Sequence, residues 1–169
     1  MTESPGPPPP EVPEAFRDPQ YREAVVDLLG AIAYGEISAF ERLAEDAKLA
    51  PSLEDKVAIA TMATAEFTHV AHLLGRLEQL GADPFAAMAP FRGPIDLFHA
   101  HTAPSDWYEG LVKAYVGDGM ANDFYREIAA YLDPGTRDLV VAALEEAASS
   151  TEATIRSRVS TSRYAAISR

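Results

Sequence analysis

The chain has 169 residues, which is enough for one domain with a sizeable hydrophobic core but too few for two domains of typical size. Its 14 Lys and Arg residues against 26 Asp and Glu residues give a net charge of −12, which argues against broad binding to nucleic acid or to anionic membranes. Because the chain contains no cysteine, disulfides, zinc–thiolate sites, iron–sulfur clusters and a cysteine nucleophile are excluded.

The N-terminal segment, residues 1–17, is rich in proline and is predicted to be a disordered tail. Six prolines with acidic residues between them favour an extended, solvated chain over a helix. The segment lacks the basic start and the apolar stretch of a secretory signal, so we expect a cytoplasmic protein. No uninterrupted apolar run approaches the roughly 20 residues that a membrane helix needs, and we therefore expect no contact with a membrane.

The first half of the chain predicts two long helices joined by a short turn. The first begins at the N-cap residue Asp18, with Pro19 at its first helical position, and runs to about Leu49, where Pro51 stops it. The second covers 52–80, between a serine N-cap with an acidic residue three positions later and a glycine C-cap.

The second half predicts another pair of helices after a long connection. Residues 82–104 contain four prolines, so we expect a crossover with only short helical turns, centred on 95–100. A third helix should cover 105–132 and end at the tight turn 133–135, and the fourth should run over 136–159.

These connection lengths predict an all-α domain over 18–159. Two helices with a short turn, one long crossover between helices two and three, and two more helices with a short turn describe a four-helix bundle. The 30 alanines and the absence of a long alternating apolar pattern support helices over strands. Residues 160–169 form a predicted basic tail, and the arginines at this end suit the C-terminus of a helix dipole.

Ionisable side chains interrupt the apolar stripes of the first two predicted helices. Glu36 lies on the stripe of the first, and Glu66 and His69 lie on that of the second, with apolar residues three or four positions before and after them. Because a buried carboxylate without a partner costs several kcal/mol, these groups must be satisfied by one another, by water or by a metal ion. A spacing of three places Glu66 and His69 side by side, within reach of a common ion.

The other two predicted helices each carry one inward carboxylate. Asp118 lies between two glycines on the stripe of the third helix, and Glu146 lies on one stripe of the fourth, although a more apolar line through Val140 and Leu144 competes to face inward. Each predicted helix thus carries one carboxylate near its middle, and a histidine follows one of these carboxylates by three residues. This combined pattern seldom arises by chance. The remaining groups are predicted to be solvated carboxylates (Glu41, Glu45, Glu145), histidines at the surface or just outside a ligand set (His72, His99, His101) and core aromatics (Trp107, Tyr108, Tyr115, Tyr125).

The sequence resembles the ferritin-like di-iron carboxylate proteins, whose pattern is one Glu followed by Glu-x-x-His in each helix pair. In the first pair Glu36 and the run Glu66-Phe67-Thr68-His69 match this pattern. In the second pair Asp118 replaces the glutamate of the third helix, and Glu146-Ala147-Ala148-Ser149 carries serine where the second histidine would be. The resemblance implies one iron held by Glu36, Glu66 and His69 and a second bridged or held by Asp118 and Glu146. Water would replace the lost imidazole, and manganese is an alternative metal.

Within this superfamily the region 115–149, with its Tyr-Val-Gly-Asp-Gly segment, is similar to bacterial tRNA hydroxylases, which oxidise the isopentenyl side chain of a modified adenosine, and to their actinobacterial-type relatives. The resemblance implies an iron-dependent hydroxylase or oxygenase with a small-molecule or modified-nucleoside substrate. The alternative, prompted by Ser149, is a non-catalytic bundle that acts as a dimeric binding or scaffold protein. A homodimer is a candidate assembly, whereas nothing in the two tails indicates the symmetric contacts of an iron-storage cage.

Overall fold

The computed structural model describes residues 14–145 together with residues 149 and 154. Within these residues every regular element is helical and no strand occurs, which confirms the predicted all-α bundle. Two short 3-10 turns, Glu14–Arg17 and Ala47–Leu49, precede and follow the first helix. The helices are α1 (Pro19–Asp46), α2 (Leu53–Gln79), α3 (Pro84–His101), α4 (Trp107–Ala129) and α5, whose described part covers 134–145.

Local caps fix the ends of α1 and α2 where the sequence predicts them. The Asp18 carboxylate accepts a hydrogen bond from the backbone N–H of Gln20 at 2.9 Å. The Ser52 hydroxyl oxygen likewise accepts one from the N–H of Asp55 at 3.1 Å. Gly81 follows α2 with a φ of +69°, the left-handed conformation that favours glycine at the end of a helix. These three caps confirm three of the four predicted boundaries; at the fourth, predicted near Leu49, α1 ends at Asp46 and the 3-10 turn follows.

Within the predicted crossover, residues Pro84–His101 form one continuous helix, so the expectation of only short helical turns over 82–104 is wrong. Asp83 accepts hydrogen bonds from two backbone N–H groups of the first turn, at 2.9 and 3.3 Å, and thereby starts α3. Pro90 and Pro94 lie inside the helix, and each removes one backbone hydrogen bond. Both prolines are exposed, as is Ala86, whose carbonyl has lost its partner at position 90, and an unpaired backbone group costs less at an exposed position than in the core.

A close approach between backbones holds α3 against the rest of the bundle. A Cβ atom at Gly30 of α1 would lie 2.3 Å from the carbonyl oxygen of Ala87 in α3. Glycine is required at this position because a side chain would force the two helices apart. The crossover is therefore a fifth helix that packs on α1, and the bundle keeps the predicted order of its other four.

Two apolar clusters fill the interior, and a polar layer separates them. The first cluster joins the N-terminal half of α1 to the C-terminal half of α2, with contributions from α3 and α5. The second joins the C-terminal end of α1 to the N-terminal half of α2 and to the start of α4. This pairing shows that α1 and α2 run antiparallel. Members of the first cluster include Val25, Leu29, Ile32, Leu73, Leu77, Met88 and Val140, and members of the second include Leu43, Ile59, Met62, Ala63 and Trp107.

Helix α4 is more exposed than predicted. Of the four aromatic residues that we expected in the core, Trp107 is buried and Tyr125 is half-buried, but Tyr108 and Tyr115 are 64% and 57% exposed. The physical reason is that α4 touches α1 at only a few points, so the described helices cover only one side of it. The prediction of a core position is therefore wrong for Tyr108 and Tyr115.

The helix after α4 begins two residues earlier than predicted, because Asp133 acts as its N-cap. The Asp133 carboxylate accepts hydrogen bonds from the backbone N–H groups of Gly135 and Thr136, at 3.1 and 3.2 Å. The same oxygen accepts a hydrogen bond from Arg76 at 3.0 Å, which ties α5 to the end of α2. Of the predicted continuation of this helix to residue 159, residues 149 and 154 are described and helical, whereas Glu146 lies outside the described residues.

By length and composition alone α2 could cross a membrane, and it is the single such helix in the described part of the chain. Core helices of soluble proteins pass the same test, so this finding is weak support for a membrane span. One face of α2 is buried against α1 in the bundle.

Candidate metal centre

Three ionisable side chains meet in the polar layer between the two apolar clusters. Glu36 comes from α1, and Glu66 and His69 come from α2; their exposed fractions are 9%, 4% and 4%. One ligand atom from each residue lies within 4.8 Å of the others. His69 Nδ1 lies 3.7 Å from Glu36 Oε2. The structure thus brings together the three residues that the sequence places on inward stripes of the first helix pair.

The helix geometry explains why these residues converge. Glu36 follows Ile32 by four residues on the buried face of α1, and Glu66 follows Met62 by four on the buried face of α2. His69 lies one turn after Glu66 on the same face. Since α1 and α2 are antiparallel and packed along their length, the middles of their buried faces meet at one level of the bundle.

Burial and like charge place a proton in this cluster. Burial, followed by the hydrogen bond and the charge of Glu36 and then by the charge of Asp118, raises the pKa of Glu66 to about 10. At neutral pH Glu66 is therefore protonated and donates a hydrogen bond to the Glu36 carboxylate. Burial and the Glu36 charge also raise the pKa of Tyr125, which places that phenol near the same carboxylate.

The donor set fits a divalent metal ion. Two ligand atoms on one ion are at most about 4.6 Å apart at bond lengths near 2.3 Å, so the three side chains are close to ligating distance. Glu36 Oε2 is buried and has no hydrogen-bond partner among the described residues, so it is an acceptor without a donor. Carboxylate and imidazole ligands suit iron and manganese.

The second half-site is less complete than the first. Asp118 is half-buried on α4 and close enough for its charge to act on Glu66, but it is not one of the three residues whose ligand atoms converge. Ser149, at the position of the second histidine, is exposed and donates its hydroxyl to the Glu145 carbonyl at 2.7 Å. Glu146 lies outside the described residues, so its role as a ligand stays a prediction.

A cleft of about 710 Å³ leads from the polar layer to solvent between α1 and α4. Its inner end contains Glu36, Glu66 and Asp118, together with Tyr125. Its walls are mainly apolar, and its volume is in the range of roughly 300–1,000 Å³ that small-molecule sites occupy. A substrate in this cleft would touch the carboxylates directly.

The far end of the cleft carries groups that the sequence reasoning missed. Lys113 and Asp46 face each other there, because the Asp46 carboxylate raises the pKa of Lys113 while burial, the larger cause, lowers it. His99, which we expected at the surface or just outside a ligand set, is half-buried on the cleft wall. Lys113 interrupts an apolar run, Leu111 to Val116, and this interruption is the signal that could have identified it.

Comparison with known families and proteins gives one match. A family model described as "Ferritin-like domain, actinomycetes" matches residues 19–167. No curated protein matches the chain significantly. The matched region includes all five predicted metal ligands and every helix of the bundle.

Proposed function

Because the chain belongs to the actinomycete ferritin-like domain family, we propose that it is an iron-dependent oxygenase that hydroxylates a small organic molecule. The observation that carries this proposal is the convergence of Glu36, Glu66 and His69 at the inner end of a cleft open to solvent. A buried ligand set alone would serve a structural ion equally well. A catalytic site also needs access for a substrate, and the cleft provides this access to the same side chains.

Hydroxylation of this kind inserts one oxygen atom of O₂ into a C–H bond and reduces the other oxygen atom to water. The reaction consumes two electrons from an external reductant and two protons. Bound iron would supply the activation of O₂, for which the protein side chains have no equivalent.

The side chains of the polar layer have separate roles in this proposal. Glu36, Glu66 and His69 hold the metal, and Glu66 must release its proton before it can do so. Asp118 lies in the cleft on the substrate side, where its carboxylate can serve as a further ligand or as a proton acceptor. The apolar residues on the cleft walls exclude water from the reacting carbon.

The substrate class separates this proposal from the tRNA hydroxylases that the sequence resembles. A net charge of −12 opposes the approach of a polyanion, and the arginines near the C-terminus lie outside the described residues. The cleft instead offers an apolar enclosure of the size of a small molecule. We therefore propose a small, largely apolar organic molecule as the substrate, in preference to an RNA-borne nucleoside.

The first test is the metal content of matched histidine variants. His69 and His72 are three residues apart on α2, but His69 is buried in the cluster whereas His72 is exposed. Protein expressed in iron-rich medium should carry iron or manganese; His69→Ala should weaken binding at least about tenfold, whereas His72→Ala should leave it unchanged. A wild-type protein without either metal, or equal losses in both variants, would overturn the proposal.

Labelled oxygen tests the oxygenase activity itself. Iron-loaded protein is incubated with a chemical reductant, isotopically labelled O₂ and candidate apolar substrates, and the products are analysed by mass spectrometry. The proposal predicts one labelled oxygen atom in the product of the wild-type protein and none in the product of His69→Ala. If no substrate acquires labelled oxygen although iron is bound, the site is a metal site without oxygenase activity.

A second candidate function, a non-catalytic bundle, is favoured by the exposed Ser149 and by the hydrogen bond between Glu66 and Glu36. In such a protein the three side chains would satisfy one another without an ion. It predicts that iron and manganese leave the melting temperature unchanged at every pH, a result opposite to that expected for the oxygenase.

A further inference from the structure

The cleft beside the candidate metal centre has opposite chemical character at its two ends. Helices α1 and α4 line it in antiparallel directions, because Glu36 lies near Tyr125 at one end, while at the other a Cβ atom at Gly110 would lie 3.2 Å from Asp46 Oδ2. Ten residues of α1 separate positions 36 and 46, which corresponds to about 15 Å of helix at roughly 1.5 Å per residue. A molecule that fills the cleft is therefore elongated.

The walls between the two ends are apolar. Ile32 and Leu43 of α1 and Val112, Val116 and Met120 of α4 are among the residues that line the cleft. Val112, Val116 and Met120, which border the open cleft, are 62%, 49% and 69% exposed. An alkyl chain in the cleft would cover these side chains and would gain roughly 25 cal/mol for each Å² of apolar surface removed from water.

At the outer end Lys113 lies near the Asp46 carboxylate without a hydrogen bond to it. The Nζ atom of Lys113 is buried and has no hydrogen-bond acceptor within the described part of the chain; its recorded contact is with the face of the Phe98 ring, 5.9 Å from the ring centroid. His99 Nδ1 is also buried there without a hydrogen-bond partner among the same residues. Arg42 borders the same region but is paired with Glu45 at 2.8 Å, so Lys113 is the available cation.

We propose that the cleft binds a single-chain anionic amphiphile, with its charged head at Lys113 and its alkyl chain along α1 and α4 toward Glu36 and Glu66. This assignment rests on the proposed function for the identity of the site as catalytic, and it specifies the substrate class. Asp46 near the same lysine favours a head with one or two negative charges over a larger polyanion. The head is a carboxylate or a phosphate monoester, since both provide the acceptor oxygens that an ammonium group needs.

The chemistry of the proposed reaction then acts on the alkyl chain, away from the head. Because positions 36 and 46 of α1 are about 15 Å apart, the carbon atoms that reach the polar layer lie about that far from the head at Lys113. The head would position the chain, and the carboxylates at positions 36 and 66 would lie next to its methylene groups. Lys113 is in this account a positioning residue, whereas Glu36, Glu66 and His69 belong to the metal centre.

Competition with a fluorescent fatty acid tests the proposal without any catalytic turnover. Dodecanoate, dodecyl phosphate and dodecanol are used to displace dansyl-undecanoic acid from the full-length protein, prepared with a chelator so that no metal is bound. We expect dodecanoate or dodecyl phosphate, or both, to bind at least about tenfold more tightly than dodecanol, which corresponds to roughly 1.4 kcal/mol. The stronger of the two anions identifies the head group.

Matched variants separate the charge from the fold. Lys113→Met keeps most of the aliphatic chain and removes the charge, so the anions should bind about tenfold more weakly while dodecanol is unaffected. Lys56→Met, at an exposed position on α2, is the control and should change nothing. Val116→Asp, at a half-exposed wall position, should weaken all three compounds and gives an independent readout if Lys113→Met folds poorly.

The result that overturns the proposal is equal binding of the three compounds, or anion binding that survives Lys113→Met. His69→Ala distinguishes this failure from failure of the proposed function, because it removes metal binding but should leave amphiphile binding intact. Amphiphile binding without iron binding would thus support this inference and reject the oxygenase. Iron binding without amphiphile binding would reject this inference and leave the proposed oxygenase supported.

Discussion

The ionisation of Glu66 depends directly on the burial and the neighbouring charges of the polar layer. Its pKa is raised first by burial and then by Glu36, because a second negative charge next to the Glu36 carboxylate is unfavourable in a buried site. A divalent cation would lower the pKa of Glu66 again, because both carboxylates would then face a positive charge. The same side chains are therefore costly without a metal and favourable with one.

Substitution of Glu66 by glutamine should change how the stability of the metal-free protein depends on pH. Because the pKa of Glu66 is raised from 4.5 in the folded state, the stability that its protonated form contributes is complete below pH 4.5 and is lost as the pH rises through the folded-state pKa. In Glu66→Gln this loss is absent. The unfolding free energy of the variant should exceed that of the wild type increasingly above pH 5, by up to about 1.4 kcal/mol per pH unit.

Urea denaturation in the presence of a chelator, from pH 5 to pH 9, measures this difference. Glu41→Gln, an exposed glutamate on α1, is the control and should follow the wild type at every pH. Parallel curves for Glu66→Gln and the wild type would show that Glu66 is ionised in the folded protein.

The site residues of the first helix pair were predictable because they break a regular pattern. Glu36, Glu66 and His69 occupy positions where a stripe of apolar residues continues on both sides, so only inward orientation is consistent with the spacing. Lys113 was not predictable in this way. Its helix is partly exposed, and the face that α4 presents to the cleft depends on where α4 lies relative to α1.

At the level of elements, three helices begin with the dipeptide Asp-Pro. It occurs at 18–19, 83–84 and 133–134, and in each case the aspartate caps the helix while the proline occupies the first position. From the sequence, a helix start is predicted only at the first of these three. The two internal prolines of α3 counted against a helix there, and they are tolerated because the carbonyl groups that they leave unpaired lie at exposed positions.

The cap at Asp133 should contribute more to stability than the cap at Asp83. Asp133 is buried and also pairs with Arg76, whereas Asp83 is exposed and bonds only to backbone N–H groups in the recorded contacts. Asp133→Ala should lower the unfolding free energy by about 3 kcal/mol, because it leaves a partly buried guanidinium without its carboxylate. Asp83→Ala should cost about 1 kcal/mol. Equal losses in chemical denaturation would show that the ion pair adds nothing to the cap.

The contact between α1 and α3 predicts opposite effects for two glycines of the same helix. Gly30→Ala should destabilise the protein by about 1–3 kcal/mol, because its Cβ would overlap the Ala87 carbonyl. Gly35→Ala should stabilise it by up to about 1 kcal/mol, since among the described residues no atom beyond the adjoining backbone of α1 lies within 4 Å of the added Cβ, and alanine favours helices. Thermal unfolding of both variants checks this pair, and a Gly30→Ala variant as stable as the wild type would place α3 farther from α1.

For the whole molecule, the lengths of the connections were sufficient to predict a helical bundle with a crossover between its second and third predicted helices. They were not sufficient to show that the crossover itself is a helix packed on α1, which depends on the fit of Gly30 to the Ala87 backbone. The arrangement of two apolar clusters with a polar layer between them explains why the metal centre lies midway along α1 and α2. Both helices are anchored above and below the centre, so its ligands are held by the whole core.

Metal binding should consequently stabilise the entire bundle. A ligand at a hundred times its dissociation constant adds about 2.7 kcal/mol to the unfolding free energy, which for a protein of this size raises the melting temperature by about 5–10 °C. Manganese should produce this shift in the wild type and in His72→Ala but not in His69→Ala. The shift should increase from pH 6 to pH 8, because Glu66 must lose its proton to bind. An equal shift in all three proteins would place the ion elsewhere.

Anomalous diffraction at the iron absorption edge, from crystals of the iron-loaded protein, tests the central claim most directly. The account predicts an anomalous peak between Glu36, Glu66 and His69, at about 2.0–2.3 Å from one atom of each side chain. Iron-loaded crystals with no anomalous peak at this position, and with the three side chains hydrogen-bonded to one another, would contradict it.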